Sequence, residues 1–289
     1  GWRGAKVENI LSFERDFKET KVVKLEQNYR STSNILNAAN AVIKRNADRL
    51  GKNLWTDLGE GEPIFLYSAF NENDEARYIV ENLKSWIDQG NNRQDAAVLY
   101  RSNAQSRVIE SALLQFDIPY RVYGGQRFFE RLEIKNALAY MRLILNCHDD
   151  VAFERVVNIP PRGIGERTVD AVREHARNIS ISMWSAAKAM IVDKNLNTRS
   201  ANALAAFLNL INEMTNTLEA LPLSELAENS IEMSGLIEMH RREKGERGQS
   251  RVENLEELVG ACKNFTPESI DTPVLAQFLD QVSLEAGER

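Results

Sequence analysis

The sequence predicts an α/β portion followed by an all-α portion. Up to Gly125, short β-branched or continuous apolar runs alternate with stretches whose apolar residues recur at helical spacing. From Arg131 to Phe278, helical stripes continue with almost no strand signal. Alternating strand and helix implies right-handed crossovers, so the first portion is expected to contain a parallel sheet.

Each element can be justified in order. Val22, Val23 and Leu25 form a strand-like run, and Ile35, Leu36, Ala39, Val42 and Ile43 follow at helical spacing. Ser31, Thr32 and Ser33 between them are N-cap types. Tyr29 and Arg30 thus fall at the carboxyl end of a strand and the mouth of a helix. Ligands bind in that crevice in open sheets, and a helix N-terminus attracts phosphate. A Tyr packing a loop beside an Arg paired with a surface acid would account for the same two residues. Residues 63–67 read as a second strand and 75–87 as a helix with Ala76, Tyr78, Ile79, Leu83 and Trp86 on one stripe. The continuous apolar run 96–100 suits a buried parallel strand. Residues 106–116 are helical again, and 119–123 form a last strand ending at Gly124-Gly125, the expected domain junction. Beyond it the stripes include Ile134/Leu138/Met141/Leu145, Leu204/Phe207/Leu208/Ile211 and Leu255/Leu258/Val259, with breaks at Pro160-Pro161, Pro222, Gly235, Gly245, Gly248 and Pro267.

The chain has 289 residues, 43% hydrophobic and 27% charged, enough for a sizeable core and more than one domain. No apolar run reaches membrane-spanning length and no signal peptide is visible, so no membrane partner is expected. The chain begins at Gly1 without Met and ends at Arg289, which suggests a piece of something larger. Cys147 and Cys262 are isolated and the three histidines scattered, which argues against a zinc site or disulfide framework; no metal ligands are expected, and a reducing, cytoplasmic setting fits. Cys147-His148-Asp149-Asp150 reads as a helix end turning into a loop rather than as a nucleophilic site. The net charge of −6 comes entirely from the segment after Arg251, where eight acids face only Lys263 and Arg289. A nucleic-acid partner is therefore not excluded, because what matters is where Lys and Arg cluster.

The most informative stretch of the helical part is 158–169. Gly163-Ile164-Gly165 at a turn, with Thr168 three residues on, resembles a helix-hairpin-helix DNA-binding motif. Two glycines let backbone N–H groups approach a phosphate, and the following helix adds its positive end. Arg162, Arg167 and the Thr168 hydroxyl can add contacts that are sequence-independent and salt-sensitive. A plain glycine connector would have the same residues. Two basic patches accompany it. One is Arg127, Arg131, Lys135 and Arg142, where Lys135 and Arg142 can share a helix face; the other is the glycine-broken run 241–251. Arg101 and Asn103 lie just past the 96–100 run, again at a strand's carboxyl end. Trp2 and Arg3 offer an aromatic plane beside a cation, a unit that can stack a base; a core Trp is the other reading.

Taken together, GWRGA (1–5), LEQNYRST (25–32), LYRSNAQSR (99–107), YGGQRFFERLEIK (123–135), RGIGERT (162–168) and GERGQSRVENLEEL (245–258) resemble the UvrD/Rep/PcrA family, superfamily 1 DNA helicases that move 3′ to 5′ on single strands. The resemblance covers the whole chain. It implies that residues 1–27 end a first RecA-like domain. Residues 28–123 would then be the first half of a second, parallel-sheet RecA-like motor domain, and 124–289 a helical domain inserted into it. It further implies that Tyr29 stacks on adenine and that Arg30, the one catalytic residue here, reaches the γ-phosphate like an arginine finger. Trp2, Arg3, Arg101 and Asn103 would contact single-stranded DNA. Lys135, Arg142, Arg162, Gly163, Gly165 and Thr168 would grip duplex ahead of a fork.

No GxxxxGK[ST] phosphate loop occurs in the sequence, nor the family's acidic metal-binding motif. The expectation is an ATP-driven helicase of DNA repair in the intact parent, using ATP with Mg²⁺, while this chain alone binds no cofactor tightly and does not hydrolyse ATP. The implied partners are single-stranded and duplex DNA, the remaining helicase domains of the same polypeptide, and DNA repair proteins. A non-enzymatic DNA-binding module or a protein-interaction module is the alternative.

Overall fold

The computed structural model describes residues 13–17, 19–46, 51–123 and 125–286. The chain forms two compact units, Gly1–Ser68 and Ala69–Arg289. In the first, a single helical turn, Phe13–Asp16, precedes α1, Ser33–Ile43. The second contains α2 (Glu72–Asp88), α3 (Ser106–Gln115), α4 (Leu132–Leu145), α5 (Asp150–Val156), α6 (Glu166–Asn178) and α7 (Met183–Val192). It continues with α8 (Thr198–Thr215), α9 (Leu223–Ser234), α10 (Leu236–Arg241), α11 (Glu246–Asn264) and α12 (Val274–Glu285).

The predicted parallel sheet is not formed. Among the described residues there is no strand, only one isolated parallel bridge between Gln27 and Trp55. The runs read as strands at 63–67, 96–100 and 119–123 do not pair with one another. Leu66 is 97% exposed and Leu99 94%, and Phe65 and Tyr123 are exposed as well. A parallel strand needs a hydrogen-bonded neighbour on its edge and cover on both faces. An apolar run reports only that a segment suits burial, and the partner must come from elsewhere. The expectation of a parallel-sheet RecA-like motor portion is therefore corrected: the described architecture is all-helical.

The helical expectations fare better because helical hydrogen bonds are local. Residues 75–87 lie within α2, where Asn71 caps the helix by accepting from the Asp74 N–H. Ala76 and Val80 pack with Val108, Ala112, Leu113 and Ile118 into a small core. A much larger core runs from Phe128 to Val282 and includes Ile134, Tyr140, Phe153, Phe207, Ile211 and Leu255. α4 is its central element, buried along nearly its whole length. The loop is shorter than the reading of 147–150: α4 stops at Leu145, Asp149 caps α5 through the Ala152 N–H, and Asp150 is already the first residue of that helix.

Candidate nucleic-acid interface

In the first unit the Tyr29-Arg30 pair is held out by a turn that Asn28 organises. The Asn28 N–H donates to the Trp55 carbonyl (2.7 Å) and the Trp55 N–H to the Glu26 carbonyl (3.0 Å). Asn28 Oδ1 accepts from the backbone N–H of both Arg30 (2.9 Å) and Ser31 (2.8 Å). With the backbone pinned in this way, Tyr29 stands 79% exposed, its hydroxyl donating to Gln27 Oε1, and Arg30 is exposed beside it. An exposed ring next to a guanidinium is suited to stack a base and reach a phosphate. The mouth of α1 itself is occupied, since the Ser33 and Asn34 N–H groups donate to the carbonyls of Gly59 and Glu60. Gly61 has φ +71°, and a Cβ there would run into the Thr32 side chain at 2.4 Å. Trp2 and Arg3 lie outside the described residues. No cluster of three or more His, Cys, Asp or Glu among the described residues is placed to hold a metal ion.

Arg101 and Asn103 lie on a turn that leads into α3. Ser102 and Gln105 form a reciprocal capping box there, and Gln105 Oε1 also accepts the Arg101 N–H. Arg101 is exposed. Asn103 donates through Nδ2 to Ser250 Oγ of α11 (3.3 Å), and its carbonyl accepts from Arg131 (2.8 Å). Arg131, grouped by sequence with a surface patch, is instead buried. Burial pulls its guanidinium below the ordinary arginine value, while Glu110, Tyr100 and Glu133 favour its charge. Arg101, Asn103 and Arg131 belong to the lining of a groove of about 1910 Å³, which also includes Arg121, Arg247 and Arg251 as well as Glu133, Glu246 and Glu253.

The turn between α5 and α6 has an internal organiser that the sequence reading passed over. Asn158 Oδ1 accepts from the N–H of Arg162 (2.8 Å) and of Ile164 (3.2 Å). An Asn five residues ahead of the first turn glycine was the available signal. Ile164 is buried as the plug of the turn. Gly163 has φ +79°, a conformation that favours glycine. Gly165 does not: it caps α6 at φ −75°, and a Cβ there would meet nothing within 4 Å. Neither strain nor internal packing demands glycine at 165, so the bare backbone faces outward at the head of an α6 that no side chain caps. Thr168 is half-buried and donates its hydroxyl to Ser200 Oγ (3.2 Å).

Arg162 points inward. Its guanidinium donates to the carbonyls of Pro160 (3.0 Å) and Ser234 (2.8 Å), and more distantly to that of Val156. It also lies 5.7 Å from the Tyr140 ring centroid and 5.6 Å from that of Phe207. Burial pushes the Tyr140 hydroxyl up to about 12, against the pull of Arg162. Lys135 and Arg142 are both exposed on α4, and Arg142 donates to Ser283 Oγ of α12 (2.9 Å). In the basic run 241–251, Arg242 pairs with Glu238 and Arg251 with Glu243, while Arg247 is exposed. Gly248 is required by packing, because a Cβ would lie 2.5 Å from the His240 carbonyl oxygen.

An exposed aromatic-cation pair, a polar turn at a charged groove and an outward-facing glycine turn are each features that a nucleotide- or nucleic-acid-handling protein can use. The comparison with known families makes this specific. Residues 23–289 match the model of the UvrD-like helicase C-terminal domain, and the chain belongs to that family. DNA helicase II of Escherichia coli is 54% identical over 290 residues, covering 100% of this chain and 40% of the relative. DNA helicase II of Haemophilus influenzae is 52% identical over the same shares of both chains. ATP-dependent DNA helicase PcrA of Staphylococcus epidermidis is 41% identical, covering 99% of this chain and 39% of the relative. The chain thus spans about two fifths of the length of the curated relatives it matches.

Proposed function

We propose that this chain is part of an ATP-driven helicase that moves 3′ to 5′ on DNA in repair, in the cytoplasm. It contributes one side of the nucleotide site, single-strand contacts and a duplex-gripping helical region over residues 124–289. Tyr29 stacks on the base of ATP and Arg30 stabilises charge developing on the transferred phosphate. Residues outside this chain supply the phosphate loop and the Mg²⁺ ligands. Trp2, Arg3, Arg101 and Asn103 hold single-stranded DNA. Gly163, Gly165 and Thr168 approach the duplex backbone, with Lys135 and Arg142 adding charge and Arg162 keeping the turn in shape.

The observation that best supports this reading is the glycine turn at the head of α6. Gly165 is bare without a conformational or packing reason inside the molecule, and the helix behind it adds a positive end. Fluorescence anisotropy with a duplex and a single strand of equal length, over a salt series, tests it. The chain should bind duplex without sequence preference, losing affinity with a slope of about −0.9 in log K per neutralised phosphate. Gly165→Val should weaken duplex binding selectively. Equal loss on both ligands, or no loss on duplex, would return the turn to a plain connector. In the whole helicase, Arg30→Ala should lower kcat far more than nucleotide affinity; a change confined to KM would make Arg30 a binding residue only.

A further inference from the structure

We propose that Arg131 is a positioning residue for single-strand binding, holding the Arg101–Asn103 turn in register with α11. The inference rests on the reading that Arg101 and Asn103 contact single-stranded DNA.

Two segments that are far apart in sequence, residues 103–106 and Asn254 of α11, meet at this one guanidinium. Nη1 donates to the Asn103 carbonyl (2.8 Å) and to Asn254 Oδ1 on α11 (2.9 Å). Nη2 donates to Ser106 Oγ at the start of α3 (2.7 Å). The planar group lies 5.3 Å from the Phe128 ring centroid. Arg131 is 8% exposed, and its acceptor Asn254 is 2% exposed. Asn254 is itself oriented, since its Nδ2 donates to Glu133 Oε1 (2.6 Å), and Glu133 lies 3.7 Å from Arg251.

A fork that satisfies acceptors on both segments at once fixes their relative placement, and a lysine ammonium has neither the reach nor the planarity to do so. The Asn103 carbonyl is the critical acceptor. It belongs to the backbone of the turn, so moving it moves Arg101 and the Asn103 side chain together. Arg131 is too buried to touch DNA itself, so any effect on binding travels through that turn.

The test uses the whole helicase carrying Arg131→Lys, Ser106→Ala, the double change R101A/N103A, or Arg131→Lys in that double background. Affinity for an oligothymidylate and for a blunt duplex is read by anisotropy, with thermal melting alongside. Arg131→Lys should weaken oligothymidylate binding about tenfold, the scale of one lost charge-assisted hydrogen bond. Duplex affinity should hold within about twofold, because the glycine turn of α6 is not part of this network. Ser106→Ala, which removes one acceptor and little volume, should cause a smaller loss in the same direction and carries the test should Arg131→Lys not fold. In the R101A/N103A background, Arg131→Lys should add nothing.

A full tenfold loss persisting in that background, or equal losses on duplex and single strand, overturns the inference. So does unchanged oligothymidylate binding in both Arg131→Lys and Ser106→Ala while R101A/N103A binds weakly. If R101A/N103A binds the oligothymidylate as tightly as the parent, the contact reading itself falls and takes this inference with it.

Discussion

Arg162→Ala separates two roles that the sequence could not. As a phosphate contact, Arg162 would extend toward DNA and contribute little to folding. In the structure its guanidinium is spent on the protein. Two well-formed hydrogen bonds to the carbonyls of Pro160 and Ser234 contribute about 1 kcal/mol each at this half-buried position. Stacking against Tyr140 and Phe207 adds about 0.5 kcal/mol per ring. Truncation should therefore cost about 3 kcal/mol, at the upper end of ordinary single substitutions. The assay is urea unfolding of this chain followed by circular dichroism, where the midpoint should fall with the slope m unchanged. Duplex binding, measured well below the new midpoint, should keep its salt slope. A loss of less than about 1 kcal/mol, together with a salt slope shallower by about one unit, would refute the clamp and make Arg162 a phosphate ligand.

The other expectations follow from single residues. Gly163→Ala should destabilise the chain by about 1 kcal/mol through its positive φ, whereas Gly165→Ala should be close to neutral in the same urea assay. Burial pushes the Cys262 thiol up to about 12, with Arg107 pulling the other way, so at pH 8 a small alkylating reagent should label half-buried Cys147 and spare Cys262 until the chain is unfolded. Burial opposes ionisation of Glu243, but hydrogen bonds from His240 and Arg251 prevail and hold its carboxyl below the ordinary value of 4.5. Its contribution is thus fully present above that pH and lost as pH falls through the depressed folded value, so the urea midpoint of Glu243→Gln should converge on that of the parent chain as pH is lowered through that folded value.

Legibility divided along the range of the interactions. Leu204, Phe207, Leu208 and Ile211 recur at helical spacing and are all buried in α8, because a helix closes its hydrogen bonds within four residues and needs only one covered face. The runs at 63–67 and 96–100 were equally apolar, yet they form no strand, and Phe65, Leu66 and Leu99 stand exposed. The pattern of a buried strand is a statement about neighbours, and the neighbours are not in the pattern.

The site divided in the same way. The glycine turn could be read from spacing because it is made by residues adjacent in sequence. Tyr29 and Arg30, read at the end of a strand, instead stand exposed on a turn, with no strand before them among the described residues. The residues that hold them were passed over: Asn28 and Asn158 each hold a turn through one side-chain oxygen that accepts two backbone N–H groups. Arginine was the least legible type. Arg131 and Lys135 looked alike as members of one basic patch and Arg162 read as a phosphate contact of the hairpin, but of the three only Lys135 faces solvent, while Arg131 and Arg162 satisfy carbonyls from distant segments. A guanidinium carries five donors in a rigid fork, so it serves an internal junction as readily as a phosphate. Charge clustering therefore finds where arginines gather, and only the carbonyls around each one decide whether it is available to DNA.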